Sequence, residues 1–176
     1  MIVPFVSQQV YGDEEWRRFG CGIASLKMVF DFWHGRDPGN ATDGADALYT
    51  SGLAAGAFDP EIGWWHAGLV GLATARGYEA YNRDFGPRSR TPRTAEESLR
   101  ELDRELAAGP VIASVYHDFD PNRGGGHLVV VTGVTGEAVA LNDPLPARES
   151  EGRRVLPVAT FLPAFKHRFI VVRPAG

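Results

Sequence analysis

A thiol, an imidazole and a carboxylate can together open an amide bond, and this chain carries one thiol to start from. Cys21 is the sole cysteine, so no internal disulfide can take it. It stands in Phe19-Gly20-Cys21-Gly22-Ile23-Ala24-Ser25-Leu26, between two glycines that allow a sharp turn and the close approach of a substrate. Gly22, Leu26, Val29, Phe30 and Trp33 then recur at helical spacing, and Gly35 ends the run. Cys21 is expected at the positive end of a buried helix, where a thiol ionises more readily. The competing account is a small buried hydrophobe at a helix start, as many free cysteines are.

A cysteine nucleophile needs a base, a group that orients the base, and donors for the oxyanion. Five histidines are available. His34 ends the cysteine helix, roughly 20 Å along its axis from the start. His167, between Lys166 and Arg168, reads as a solvated turn. His66 opens a second helix, and His117 ends a strand. His127 follows Gly124-Gly125-Gly126 and opens a Val-rich strand, which makes it the best base candidate. The alternative is a core histidine with both ring nitrogens satisfied.

The hairpin after His127 supplies an orienting group. Strands 127–134 and 137–143 meet at Thr135-Gly136. A tight two-residue turn sets His127 opposite Pro144, which leaves Asp143 on the other face. One bulged residue, as a left-handed glycine permits, sets His127 directly opposite Asp143. The chemistry requires this second register. Asn142 is the spare candidate, and Asp143 could also serve only the turn before Pro144. Gln8 or Gln9, together with the Cys21 N–H, could donate to an oxyanion.

The positioning elements follow from pattern. Val3–Val6 reads as a short edge strand around Pro4. Residues 11 to 20 read as a loop, as do 36 to 43. Ala45–Ser51 reads as a short helix and 52–62 as irregular. Trp64–Arg76 reads as a helix with Trp65, Leu69 and Leu72 inward and Gly77 at its end. That leaves Trp64, with His66, to line a substrate groove or to cover a second apolar cluster. Residues 82 to 93 hold four arginines and read as a solvated loop or a basic contact patch. Thr94 to Glu97 is a capping box opening a helix to Ala108. Val111–Val115, His127–Val134, Ala138–Leu141, Arg154–Val158 and Arg168–Val172 read as strands. Helices first and strands afterwards predict an α+β fold, one antiparallel sheet packed on the cysteine helix.

Composition narrows the classes. The 176 residues suit one domain, 1–176, with a full core, and 44% hydrophobic with 23% charged residues is ordinary for a globular chain. A net charge of −4 without a basic block gives no footprint for nucleic acid. No stretch reaches the roughly 20 apolar residues of a membrane span. Met1-Ile2-Val3-Pro4-Phe5 is no signal peptide. As given the chain reads as cytoplasmic, with room for an export signal removed from a longer precursor. Asp118, Asp120 and Asn122 alternate as at the start of a calcium loop. Arg123 stands where that loop needs glycine and Val129 where it needs glutamate, so no metal and no cofactor are assigned.

Four blocks occur in a telling order. They are Val3-Pro4-Phe5-Val6-Ser7-Gln8, Gly20-Cys21-Gly22-Ile23-Ala24-Ser25-Leu26, Gly125-Gly126-His127 running to Gly133, and Asn142-Asp143-Pro144. Together they resemble a C39-like cysteine peptidase of papain-like fold. Gly63-Trp64-Trp65-His66-Ala67-Gly68-Leu69 resembles a segment of the family's bacterial members. The resemblance implies that Cys21 is the nucleophile, His127 the base, Asp143 the orienting acid and Gln8 the oxyanion donor. Ile23 stands where a proline is common, and Gln9 repeats the glutamine. The resemblance is to the stand-alone group, since no transporter segment is present. It implies a monomeric hydrolase of peptide or related amide bonds. Alternatives are an acyltransferase using the same thioester on an acyl substrate, and an inactive peptide-binding domain that keeps the cleft.

Overall fold

The computed structural model describes residues 1–9, 14–35 and 44–175. Helix α1 (Glu14–Phe19) runs through Gly20 into α2 (Cys21–Trp33). Helices α3 (Ala45–Ala54) and α4 (His66–Thr74) flank a two-stranded ribbon of β1 (Phe58–Asp59) and β2 (Gly63–Trp64). Strand β3 (Tyr78–Asp84) and α5 (Ala95–Leu106) precede β4 (Val111–Val115), β5 (His127–Val134) and β6 (Ala138–Asn142). The chain closes with α6 (Glu149–Gly152), β7 (Arg153–Pro157), α7 (Val158–Ala164) and β8 (Phe165–Pro174).

Six of these strands form one sheet in the order β3-β8-β4-β5-β6-β7, antiparallel throughout. Both faces are covered, and the period-2 alternation of strands assigns each residue to its side. Ile112, Leu128, Val130, Ile170 and Val172 pack with α2, α3 and α4. Val111, Ala113, Val129, Val131, Phe169 and Val171 pack with Leu99, Leu102 and Leu106 of α5 and Phe161 of α7. Each of the Val, Leu, Ile and Phe side chains among these, once buried, contributes on the order of 1.5–3 kcal/mol. Every residue of α2 from Gly22 to Phe30 is buried, so the cysteine helix is the central one. The α+β expectation holds, with a second helical layer behind the sheet.

Several local expectations are corrected. Residues 14–19 are helix, not loop. Glu14 and Glu15 in its first turn and Arg17 and Arg18 in its last suit the helix dipole, and Trp16 is buried. Val3–Val6 forms no strand; the Val3 carbonyl accepts from Asn142 Nδ2 and Arg153 Nη2 instead of from a ladder. Residues 78–84 form β3, so the arginine-rich stretch begins inside the sheet. Arg83 lies over Tyr81, while Arg93 pairs with Glu101 and covers Phe85. The helix after Gly63 starts at His66, with Trp65 as its extended N-cap. Trp64 and Trp65 therefore lie outside helical periodicity: Trp65 does not face inward as expected, while Trp64 takes the second of its two expected places, covering an apolar cluster. Trp64 is 7% exposed in the core and Trp65 46% exposed. The Thr94–Glu97 capping box is present in both directions. Residues 10–13, residues 36–43 with the loop expected there, and Gly176 lie outside the described residues.

The β5–β6 hairpin differs from both sequence registers. Val134 pairs with Val139 and Gly133 with Ala140 around a four-residue loop, and Gly136 is not left-handed. The register then slips at Thr132, so that Val131 pairs with Leu141 and Val130 with Asn142. Continued by one residue, this ladder sets Asp143 opposite Val129, diagonal to His127 and on its face. The bulge is real but lies within β5 rather than in the turn.

Candidate active site

Cys21 is the first residue of α2, and the helix packs chiefly along β5. One turn further on, the buried Ser25 hydroxyl donates to the Leu128 carbonyl at 3.1 Å. The Leu128 N–H, and the Gly22 N–H at the helix start, both favour the ionised Cys21 thiol. Leu128 thus ties the Cys21 helix to the strand that begins with His127. The helix comes this close to Trp64 because residue 22 is glycine. A Cβ there would stand 2.9 Å from the Trp64 side chain, whose indole N–H donates to the Phe19 carbonyl.

His127 is 4% exposed and Asp143 3% exposed. His127 Nε2 lies 2.7 Å from Asp143 Oδ1, which leaves Nδ1 for the thiol. The other contacts of Asp143 are also saturated. Its Oδ1 accepts from the Leu145 N–H at 3.0 Å, and its Oδ2 accepts from Arg154 Nη1 at 3.1 Å. Arg154 in turn lies over the Phe119 ring, 4.6 Å from its centroid.

The charges settle accordingly. Burial pushes the Cys21 thiol up, but the His127 hydrogen bond and charge, with the Leu128 and Gly22 amides, outweigh it and hold it below its ordinary value. Burial pushes His127 down; the Asp143 and Cys21 hydrogen bonds and charges reverse that and lift it to about 10. Burial likewise raises Asp143, and His127, the Leu145 amide and Arg154 more than offset it. A thiolate beside an imidazolium is the state these shifts favour.

Gln8 is 2% exposed. Its backbone N–H donates to the Pro144 carbonyl at 2.9 Å, which fastens it to the segment after Asp143. Its Nε2 donates to the Arg17 carbonyl at 2.7 Å, leaving one amide hydrogen for another acceptor. Gln8, Cys21 and His127 all line one cleft of about 790 Å³, with Trp64, Trp65 and His66. Gln9 does not line it; its amide reaches the Arg17 carbonyl only at 3.5 Å and at the surface. Of the remaining histidines, His117 lines the cleft, with its ring 6.1 Å from that of His127. His34 contacts Tyr78 on the far end of α2. His167 sits in β8 rather than in a turn, with φ 57°, and contacts the Arg93 carbonyl.

The calcium-like segment forms two single 3-10 turns, His117–Phe119 and Pro121–Arg123. Asp118 there pairs with Arg123, and Asp120 accepts from the Asn122 N–H at 2.9 Å. Sequence reading missed Ser25, Arg154 and the exposed face of Trp65, along with Lys166 and Arg168 in the same cleft. Ser25 reads as one more helix residue. Arg154 reaches Asp143 only because β7 pairs with β6, which no local pattern announces.

The model of the Peptidase_C39 like family matches residues 2–169. No curated protein sequence matches the chain. Three solved structures share its fold at low identity. The peptidase domain of Streptococcus ComA, a bi-functional ABC transporter of a quorum-sensing pathway, superposes with a TM-score of 0.65 at 18% identity, over 97% of this chain and 97% of that one. A Bacillus anthracis protein described as a C39-like peptidase gives 0.65 at 18%, over 99% and 95%. A double glycine motif protease from an AMS/PCAT transporter, bound to its leader peptide, gives 0.61 at 20%, over 99% and 93%. With residues 2–169 of its 176 matched by the family's model, on a papain-like fold whose one thiol shares a cleft with a buried histidine, the chain belongs to the Peptidase_C39 like family and is a cysteine peptidase.

Proposed function

We propose that this chain is a single peptidase domain, active as a monomer, that hydrolyses peptide or related amide bonds through Cys21, His127, Asp143 and Gln8. The observation that carries the reading is His127, buried against Asp143 at 2.7 Å in the wall of the cleft that Cys21 also lines, with Cys21 and His127 shifting each other toward the charged pair. The Cys21 thiolate attacks the scissile carbonyl carbon. The resulting oxyanion accepts from the Cys21 N–H and the second Gln8 amide hydrogen. The His127 imidazolium protonates the leaving amine as the C–N bond breaks, giving a thioester. Water, deprotonated by His127, then attacks the thioester, releases the acid and restores the thiolate. Asp143 holds the ring orientation through both steps. Trp64 and His66 form part of the groove beside Cys21. A peptide is the favoured substrate class, as for the structural neighbour bound to a leader peptide.

The test is intact mass spectrometry after incubation with peptide libraries. Cleavage by the native protein and none by Cys21→Ala supports the reading. A stable acyl adduct on Cys21, discharged faster by amines than by water, replaces it with acyl transfer. No product and no adduct across the libraries overturns it.

A further inference from the structure

The cleft that holds Cys21 has a basic wall that the peptidase chemistry does not use. Strands β4 and β8 slip against each other next to the site. Ser114 pairs with Arg168 and Val115 with Phe165, so Lys166 and His167 have no opposite residue on β4. Bulges of this kind re-aim side chains. Here the left-handed His167 turns toward the Arg93 carbonyl, while Lys166 and Arg168 both line the cleft. Arg168 is balanced by Asp84 across the β3–β8 ladder at 3.1 Å. Lys166 is in no ion pair among the described residues. Its ammonium donates to the Gly125 carbonyl at 2.7 Å and lies over the Tyr116 ring. That uses one of its three N–H groups. It also stands 3.5 Å from where a Cβ on Gly126 would be, one residue from His127.

We infer that Lys166 is a specificity-determining residue, which binds a substrate carboxylate close to the scissile bond, with His66 and Arg168 beside it. The field in this part of the cleft agrees. Burial, then Arg168 and Lys166, hold His66 down to about 4 against the opposing pull of Asp84. A neutral histidine there keeps a hydrogen bond to offer without adding charge. Glu61 and Arg18 also line the cleft and oppose each other in sign. The inference rests on Cys21 being the nucleophile.

The probe is the rate of Cys21 alkylation by iodoacetate, which carries a carboxylate, relative to neutral iodoacetamide. Lys166→Met keeps the stem over Tyr116 and removes the charge; Lys166→Arg keeps the charge. The iodoacetate-to-iodoacetamide ratio should fall by about fivefold or more in Lys166→Met, the factor for a unit-charge pair about 4 Å apart even at the dielectric of water. It should be retained in Lys166→Arg. A lysine that only holds the Gly125 turn would change both rates alike, so an unmoved ratio with fast alkylation overturns this inference and leaves the peptidase reading standing. Slow alkylation by both reagents in the native protein removes the peptidase reading and the subsite with it.

Paired peptides separate the two sources of a carboxylate. One set carries glutamate near the cleaved bond and an amidated C-terminus; the other is neutral with a free C-terminus. Loss of kcat/KM in Lys166→Met confined to the first set assigns an acidic side chain. Loss confined to the second assigns the terminal carboxylate. Loss in neither set overturns the subsite.

Discussion

His127 Nε2 lies 2.7 Å from Asp143 Oδ1, across a hairpin whose turn alone would have set the two on opposite faces. The loop pairs Gly133 with Ala140, and continuing that register puts Asp143 opposite Val130. The extra residue at Thr132 moves Asp143 opposite Val129, onto the face of His127. If Asp143 fixes the ring in this way, Asp143→Asn should lower kcat/KM by about 10²- to 10⁴-fold with an unchanged fold. Steady-state cleavage of a susceptible peptide, beside circular dichroism, checks it. Wild-type rates in the variant would remove Asp143 from the mechanism.

The thiolate–imidazolium pair has a pH signature. Cys21 is held below its ordinary value and His127 is raised to about 10. A free thiol loses its thiolate as pH falls through about 8.5. Cys21 should keep its thiolate well below that, protected by the charged ring. At pH 6 its alkylation by iodoacetamide should exceed that of a small thiol by about 10- to 100-fold. In His127→Ala only burial and the two amides remain. The alkylation profile should then move up to the ordinary thiol range or beyond.

If His127 is the base, Arg154 acts on it through Asp143, whose Oδ2 accepts from Arg154. Removing it with Arg154→Met takes away one of the groups that hold the carboxyl low, so the Asp143 value rises. The acid limb of the kcat/KM profile should shift to higher pH, with a smaller change at the plateau than in Asp143→Asn. Arg154→Lys should recover part of the shift. A packing role over Phe119 alone would lower the plateau and leave the limb in place.

Gly22 makes room for Trp64. Gly22→Ala sets a methyl 2.9 Å from that indole, too close for either to stay where it is. It should cost about 1–3 kcal/mol of stability, read as a lower denaturant midpoint. It should also slow Cys21 alkylation, because the helix start moves with the displaced ring.

Both tryptophans line the cleft, but Trp65 is half-exposed while most of Trp64 is buried in the core. Trp65→Ala should raise KM several-fold and leave both alkylation of Cys21 and stability near native. Trp64→Ala should instead lower stability by about 3–5 kcal/mol. The opposite pattern, measured by peptide kinetics and thermal unfolding, would make Trp64 rather than Trp65 the main substrate contact.

Local chemistry was legible in the sequence wherever it depends on near neighbours. The helix from Cys21, the capping box at Thr94, and the alternation in Val111–Val115 and His127–Val134 obey short-range rules of spacing and hydrogen bonding. Cys21 and His127 therefore stand out as candidates from local pattern, while Asp143 hangs on the hairpin register and Gln8 stands beside Gln9 until the family resemblance chooses between them. What the tertiary structure decided lies in relationships that spacing cannot encode. Whether a ladder carries an extra residue depends on packing on both faces of the sheet, so the bulge at Thr132 and the slip at Lys166 are invisible locally. Trp65 is exposed rather than inward because a helix starting at His66 leaves it extended as the N-cap, and Trp64 is the one packed against Gly22. Arg154 meets Asp143 because β7 closes onto β6. The residue types set which reaction the chain can offer. The long-range register sets which side chains stand close enough to share a proton, because a hydrogen bond tolerates errors of tenths of an ångström and a one-residue slip turns a side chain to the other face.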